Sequence, residues 1–151
     1  MHIGKYITMV HESEIDLSKA FRLVTKEHGS EPDIVETCSL LASWSDELAK
    51  EIEPFVTKYG EEKANEPDRL LKDLFKKTRK GSLGLLRNLQ DLFLMANEGE
   101  VSAIILRQAA SGLRDKELIE VCNHIEAQSK RQVSWLLTRM KSAAPQTLIV
   151  G

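Results

Sequence analysis

Apolar residues recur along this chain at spacings of three and four, which is the pattern of helices with one buried face. Ile3, Ile7, Val10, Leu17, Phe21 and Val24 mark a first helix over about 5–28, stopped by Gly29. Ser30-Glu31-Pro32-Asp33 restarts the chain with a capping serine and an early proline. A second helix over about 33–59 follows on Ile34, Cys38, Leu41, Leu48, Ile52, Phe55 and Tyr59, and Pro54 is expected to kink or shorten its last turns. Leu85, Leu89, Leu92, Ala96, Ala103, Leu106 and Ala110 carry a third helix over about 82–112, ending near Gly112. Asp115 is the N-cap of a fourth, over about 115–143, built on Leu118, Cys122, Ile125, Val133, Leu136 and Met140 and closed by Pro145. The stretch 60–81 is polar apart from one short helix at 68–75, too long for a tight turn and long enough to travel the length of a bundle. No alternating strand pattern is present. The expectation is one all-α domain over 1–151, two antiparallel helix hairpins joined by a long crossover and followed by an apolar tail at 145–151.

Composition narrows the function classes. With 42% hydrophobic and 29% charged residues, the chain can bury a core. Lys and Arg number 21 against 23 Asp and Glu, a balance that argues against a nucleic-acid partner or a polybasic membrane anchor. Aromatic residues, at 5%, are too few for a base-stacking platform. No apolar run approaches the roughly 20 residues of a membrane span, and the first residues lack the order of a signal peptide. Cys38 and Cys122 sit inside apolar helical patterns, as buried reduced thiols do, so a cytoplasmic location is expected.

Polar residues interrupt each apolar seam once, and this is where chemistry is to be sought. Glu14 falls between Val10 and Leu17, Ser45 between Leu41 and Leu48, Glu100 between Ala96 and Ala103, and Ser129 between Ile125 and Val133. Counted from the turn of each hairpin, all four lie near mid-bundle. A glutamate buried there has a raised pKa unless a cation pairs with it. Its bland role is a carboxyl hydrogen-bonded to Ser45, Ser129 or Gln132 that fixes helix register.

In helix lengths, connection lengths and this mid-bundle layer, the chain resembles the ferritin-like superfamily. That resemblance implies a di-iron site made of one Glu from each of two helices and a Glu-x-x-His from each of the other two. Glu14 and Glu100 match the single carboxylates, and Glu126 matches the fourth helix's glutamate, with Ser129 standing where the histidine belongs. The second helix offers Ala42 and Ser45 and supplies neither ligand. His11, one turn before Glu14, could complete a non-standard set of His11, Glu14, Glu100 and Glu126 with water in the remaining positions.

Other chemistry is sparse. Cys122 and His124 face apart on a helix, and the local signatures of hydrolases, nucleotide binders and zinc proteases are missing. The cations at 76–80, ahead of Gly81-Ser82-Leu83-Gly84, could attend a phosphate at a helix N-terminus, but a solvated loop and cap explain them as well. Trp44 and Trp135 are expected in core or interface packing. The expected function is a non-catalytic binding or structural module with no cofactor and no catalytic residue. It is expected to form a homodimer through helix faces or the tail, with a protein partner or an apolar ligand also open. The alternative is a metal-binding oxidoreductase or storage protein carrying iron or manganese.

Overall fold

Four long helices realise the spacing. In the computed structural model, which describes residues 1–60, 75 and 77–151, α1 spans Ile3–Glu27, α2 Pro32–Tyr59, α3 Gly81–Gly112 and α4 Lys116–Pro145. The short helix expected at 68–75 lies, Phe75 apart, outside the described residues. At about 1.5 Å per residue the helices are roughly 37 to 48 Å long and match one another.

The ends of the helices define the topology. Gly4, at the start of α1, presses against the end of α2 so closely that a Cβ would lie 2.0 Å from the Tyr59 carbonyl oxygen, so only glycine fits. Lys58 and Tyr59, at the same end of α2, reach Asp115 at the start of α4. At the opposite end, His28 after α1 meets Asn88 near the start of α3, nitrogen to nitrogen at 2.9 Å. Hence α1 runs against α2 and α3, and α4 runs against α2 and α3. The chain leaves α2 at one end of the bundle and enters α3 at the other, so residues 60–80 connect opposite ends. The protein is an all-α four-helix bundle of two hairpins joined by that long connection.

Local chemistry differs from expectation at several helix ends. Pro32 stands at the start of α2 as expected, but the N-cap is Glu31 rather than Ser30, without a side-chain cap bond. Pro54 does not shorten α2, which runs through it to Tyr59. Gly112 is the last residue of α3, and the tight turn falls on Arg114, whose φ of 57° is left-handed. Pro145 does not end the helical path either. Its φ of −62° is helical, and the chain widens into a π-helical segment, Gln146–Val150, that packs against α4 and α3. Leu148, Ile149 and Val150 on that segment stay exposed.

The core is divided in two. One cluster holds Leu17, Phe21, Val24, Ile34, Leu41, Leu89, Leu92 and Leu136, and the other Ile7, Val10, Leu48, Ile52, Leu106, Leu118 and Ile125. Between them, at mid-height, lies a layer of small and polar residues.

Candidate functional site

That layer is built from all four helices. Glu14 on α1 is 1% exposed, and Ser45 on α2, Ser129 and Gln132 on α4 are 0% exposed. Gly99 on α3 faces them: a Cβ there would lie 3.2 Å from Glu14 Oε1 and 3.4 Å from Ser129 Oγ. The missing side chain makes room for the carboxylate. Glu100 therefore does not occupy the α3 seam. It sits one residue further round, about 100° away, and is half-exposed.

The hydrogen bonds of the layer are incomplete. Gln132 spends both amide hydrogens, donating from Nε2 to the Leu41 carbonyl oxygen at 3.1 Å and to Ser45 Oγ at 2.9 Å. Among the described residues, no partner of ordinary geometry reaches Glu14 Oε1, Glu14 Oε2, Ser129 Oγ or Gln132 Oε1. Burial pushes the Glu14 carboxyl up to about 7, and the neighbouring Ser45 hydroxyl opposes the rise. The layer is rich in acceptors and short of donors. A proton on Glu14 adds one donor and removes a buried charge, so the neutral acid suits this interior better than the anion.

The other three residues of the expected ligand set lie elsewhere. Glu126 is held by Arg107 and, at 3.1 Å, by Lys130, and these two cations keep its carboxyl below the usual range. Glu100 is half-exposed on α3, and His11 is half-buried one turn before Glu14. Among the described residues, no three His, Cys, Asp or Glu side chains are grouped so that they could hold a metal ion. Both cysteines are buried thiols, pushed up by burial to about 12 at Cys38 and about 11 at Cys122. Trp44 and Trp135 pack at the edge of the first core cluster, Trp44 beneath the Arg131 guanidinium at 5.1 Å. Of the cations at 77–80, Arg79 is tied to Asn88 and, at 2.9 Å, to Asp91, while Lys77 and Lys80 are exposed.

Two polar nodes escape the seam pattern. The buried His28, Asn88 and Asp91 and the half-exposed Arg79 form a latch where α3 begins, with Asn88 also donating to the Arg79 carbonyl oxygen at 3.0 Å. Because Asn88 Nδ2 donates, His28 Nε2 accepts, and burial lowers the imidazole's pKa accordingly. The signal in the sequence is a polar Asn88 beside Leu89 on the apolar side of α3. At the other end Asp115 collects Tyr59 Oη at 2.6 Å, Lys58 Nζ at 2.9 Å and the Leu118 N–H at 3.1 Å.

A second surface stands out on α3, which is apolar on both sides. Leu85, Leu89, Leu92, Ala96, Ala103 and Leu106 face the core. On the outside, Leu83, Leu94, Val101, Ile104 and Ile105 are each between 40% and 57% exposed. Towards the Gly112 end this strip meets an apolar cavity of about 380 Å³, to which Met1, Tyr6, Ile105 and Leu113 contribute. Comparison with protein families, with curated proteins and with solved structures gave no match. Among the described residues, no helix is long and apolar enough to cross a membrane.

Proposed function

We propose that this chain is a non-catalytic, ferritin-like four-helix bundle that works by binding, through the outward face of α3. The topology supports the ferritin-like part, since a single connection crossing the bundle's length is the hallmark of that arrangement. The observation that carries the binding part is the second apolar face of α3. Leu94, Val101, Ile104 and Ile105 do not serve the core, and a strip of that kind marks an interaction surface. The double substitution Val101→Lys with Ile105→Lys tests it at high dilution. The bundle should keep its helical signal and its denaturation midpoint within about 0.5 kcal/mol, as surface changes do, while binding of a hydrophobic dye falls. A loss of stability above about 2 kcal/mol would instead make these residues part of the fold and end the reading.

A second reading rests on the unpartnered oxygens of Glu14. It makes the layer a metal site holding iron or manganese, with His11 the nearest imidazole along the helix. Elemental analysis of protein purified without chelator or affinity metal decides between the two. Stoichiometric iron or manganese that disappears in Glu14→Ala would carry the metal reading.

A further inference from the structure

We infer that the partner on the outer face of α3 is a second copy of this chain, packed antiparallel about a two-fold axis. The inference rests on the reading of that face as a docking surface and names its occupant. The outward strip of α3 runs Leu83, Arg87, Gln90, Leu94, Glu98, Val101 and Ile105, at helical spacings of three and four. It is self-complementary. An antiparallel two-fold centred between Gln90 and Leu94 sets Leu83 of one copy on Val101 of the other, and Gln90 on Leu94. It also brings Arg87 near Glu98, opposite in sign, in addition to what Glu98 already contacts. Symmetry repeats each of these contacts, as an isologous interface requires. Beyond Leu83, the exposed Ile104 and Ile105 of one copy reach the end of the other where Leu148, Ile149 and Val150 are exposed on the segment that packs beside α3 and α4. One arrangement thus covers the two largest runs of exposed apolar side chains on the described surface.

From Leu83 to Ile105 the strip is about 33 Å long, and a helix is about 10 Å wide. A contact of that footprint belongs with small, reversible interfaces rather than with obligate dimers. The dimer should therefore dissociate on dilution.

Light scattering and sedimentation over a range of concentrations test the proposal on the whole chain. The mass should climb from 17.0 kDa towards twice that value, and Val101→Lys should hold it at 17.0 kDa with helicity intact. The pairing is read by mild oxidation of variants with one added surface cysteine, the native Cys38 and Cys122 being buried. A mixture of Leu83→Cys and Val101→Cys should give a covalent heterodimer, while Leu83→Cys alone should not cross-link. Efficient cross-linking of Leu83→Cys to itself would mean a parallel pair and overturn the register. A mass of 17.0 kDa at every concentration would overturn self-pairing, yet leave the stability and dye test of the α3 face to stand or fall separately.

Discussion

Two of the buried acids in this bundle, Asp115 and Glu14, could hardly be treated more differently. Asp115 caps α4 and accepts from a tyrosine hydroxyl, a lysine ammonium and a backbone N–H. The Tyr59 hydroxyl foremost, with Lys58 and Leu118 behind it, holds its carboxyl down at about 2. Glu14 is at least as deeply buried, has no partner of that kind among the described residues, and is pushed up to about 7. Burial alone therefore decides neither the charge nor the worth of an acid. The donors brought to it decide both.

The largest expected effect is on pH dependence. Glu14 in the folded chain keeps its proton to about 7, whereas an unfolded chain releases it near the ordinary value of 4.5. Its contribution to stability is thus fully present below about 4.5 and is lost as pH rises through 7, by about 3 kcal/mol in total. Urea denaturation from pH 4 to pH 8 should show that decline in the native chain and a flatter profile in Glu14→Gln. Equal slopes in the two would place Glu14 in contact with water or a cation. In the same spirit, Glu14→Leu should melt higher than the native chain at pH 8 and lose that advantage near pH 4.5.

Asp115 should behave in the opposite sense. Its folded pKa is depressed, so its contribution is present above the ordinary value of 3.8 and disappears only as pH falls towards 2. Asp115→Ala removes an N-cap and leaves the Tyr59 hydroxyl without its acceptor, which should cost about 2 kcal/mol. Asp115→Asn keeps a capping oxygen and should cost less. If the alanine variant were as stable as the native chain, the node would be decorative.

A double-mutant cycle sharpens the contrast further. In the native background, Gly99→Ala places a methyl 3.2 Å from Glu14 Oε1 and should cost about 1 kcal/mol despite the better helix propensity of alanine. With Glu14→Ala in place that obstacle is gone, and the same change should stabilise by a similar amount. Additive effects would mean that the two residues do not meet. The smallest effect is expected one residue before Asp115. Arg114 is left-handed at φ 57°, and Arg114→Gly should gain about 0.5 kcal/mol in thermal or urea denaturation.

Much of this was legible in the sequence. The four helices and the antiparallel hairpins follow from the three-and-four spacing. Glu14, Ser45 and Ser129 lie in the mid-bundle layer where the seam spacing places them, although Ser13 and Trp44 satisfy the same steps beside the first two. On α3 the pattern was ambiguous: between Ala96 and Ala103, both Gly99 and Glu100 satisfy a step of three and a step of four. A glycine carries no hydropathic signal, so the acid drew attention while the gap beside it held the geometry. Asp115 was recognisable as a cap, but Tyr59 and Lys58 come from a distant helix end that local spacing does not reach. The π-helical continuation past Pro145 was hidden because proline forbids a hydrogen bond without forbidding helical dihedral angles. The His28–Asn88–Arg79 latch depends on the crossover bringing α1's end to α3's start, which is a property of topology rather than of pattern.

That topology has a consequence for how the molecule breathes. Each hairpin closes over a turn of a few residues, whereas the two hairpins are tied covalently only through residues 60–80. The polar layer draws Glu14 and Ser45 from one hairpin and Gly99, Ser129 and Gln132 from the other, so the least satisfied layer of the interior straddles the boundary between two locally closed units. Parting the hairpins at that height gives water access to the acceptors left unpartnered in the closed state. Once Glu14 is ionised, that partial opening gains the solvation of a charge. The bundle is thus a pair of halves whose hold on each other weakens as acidity falls, and amide exchange along the α1–α3 boundary should quicken before exchange within either hairpin does.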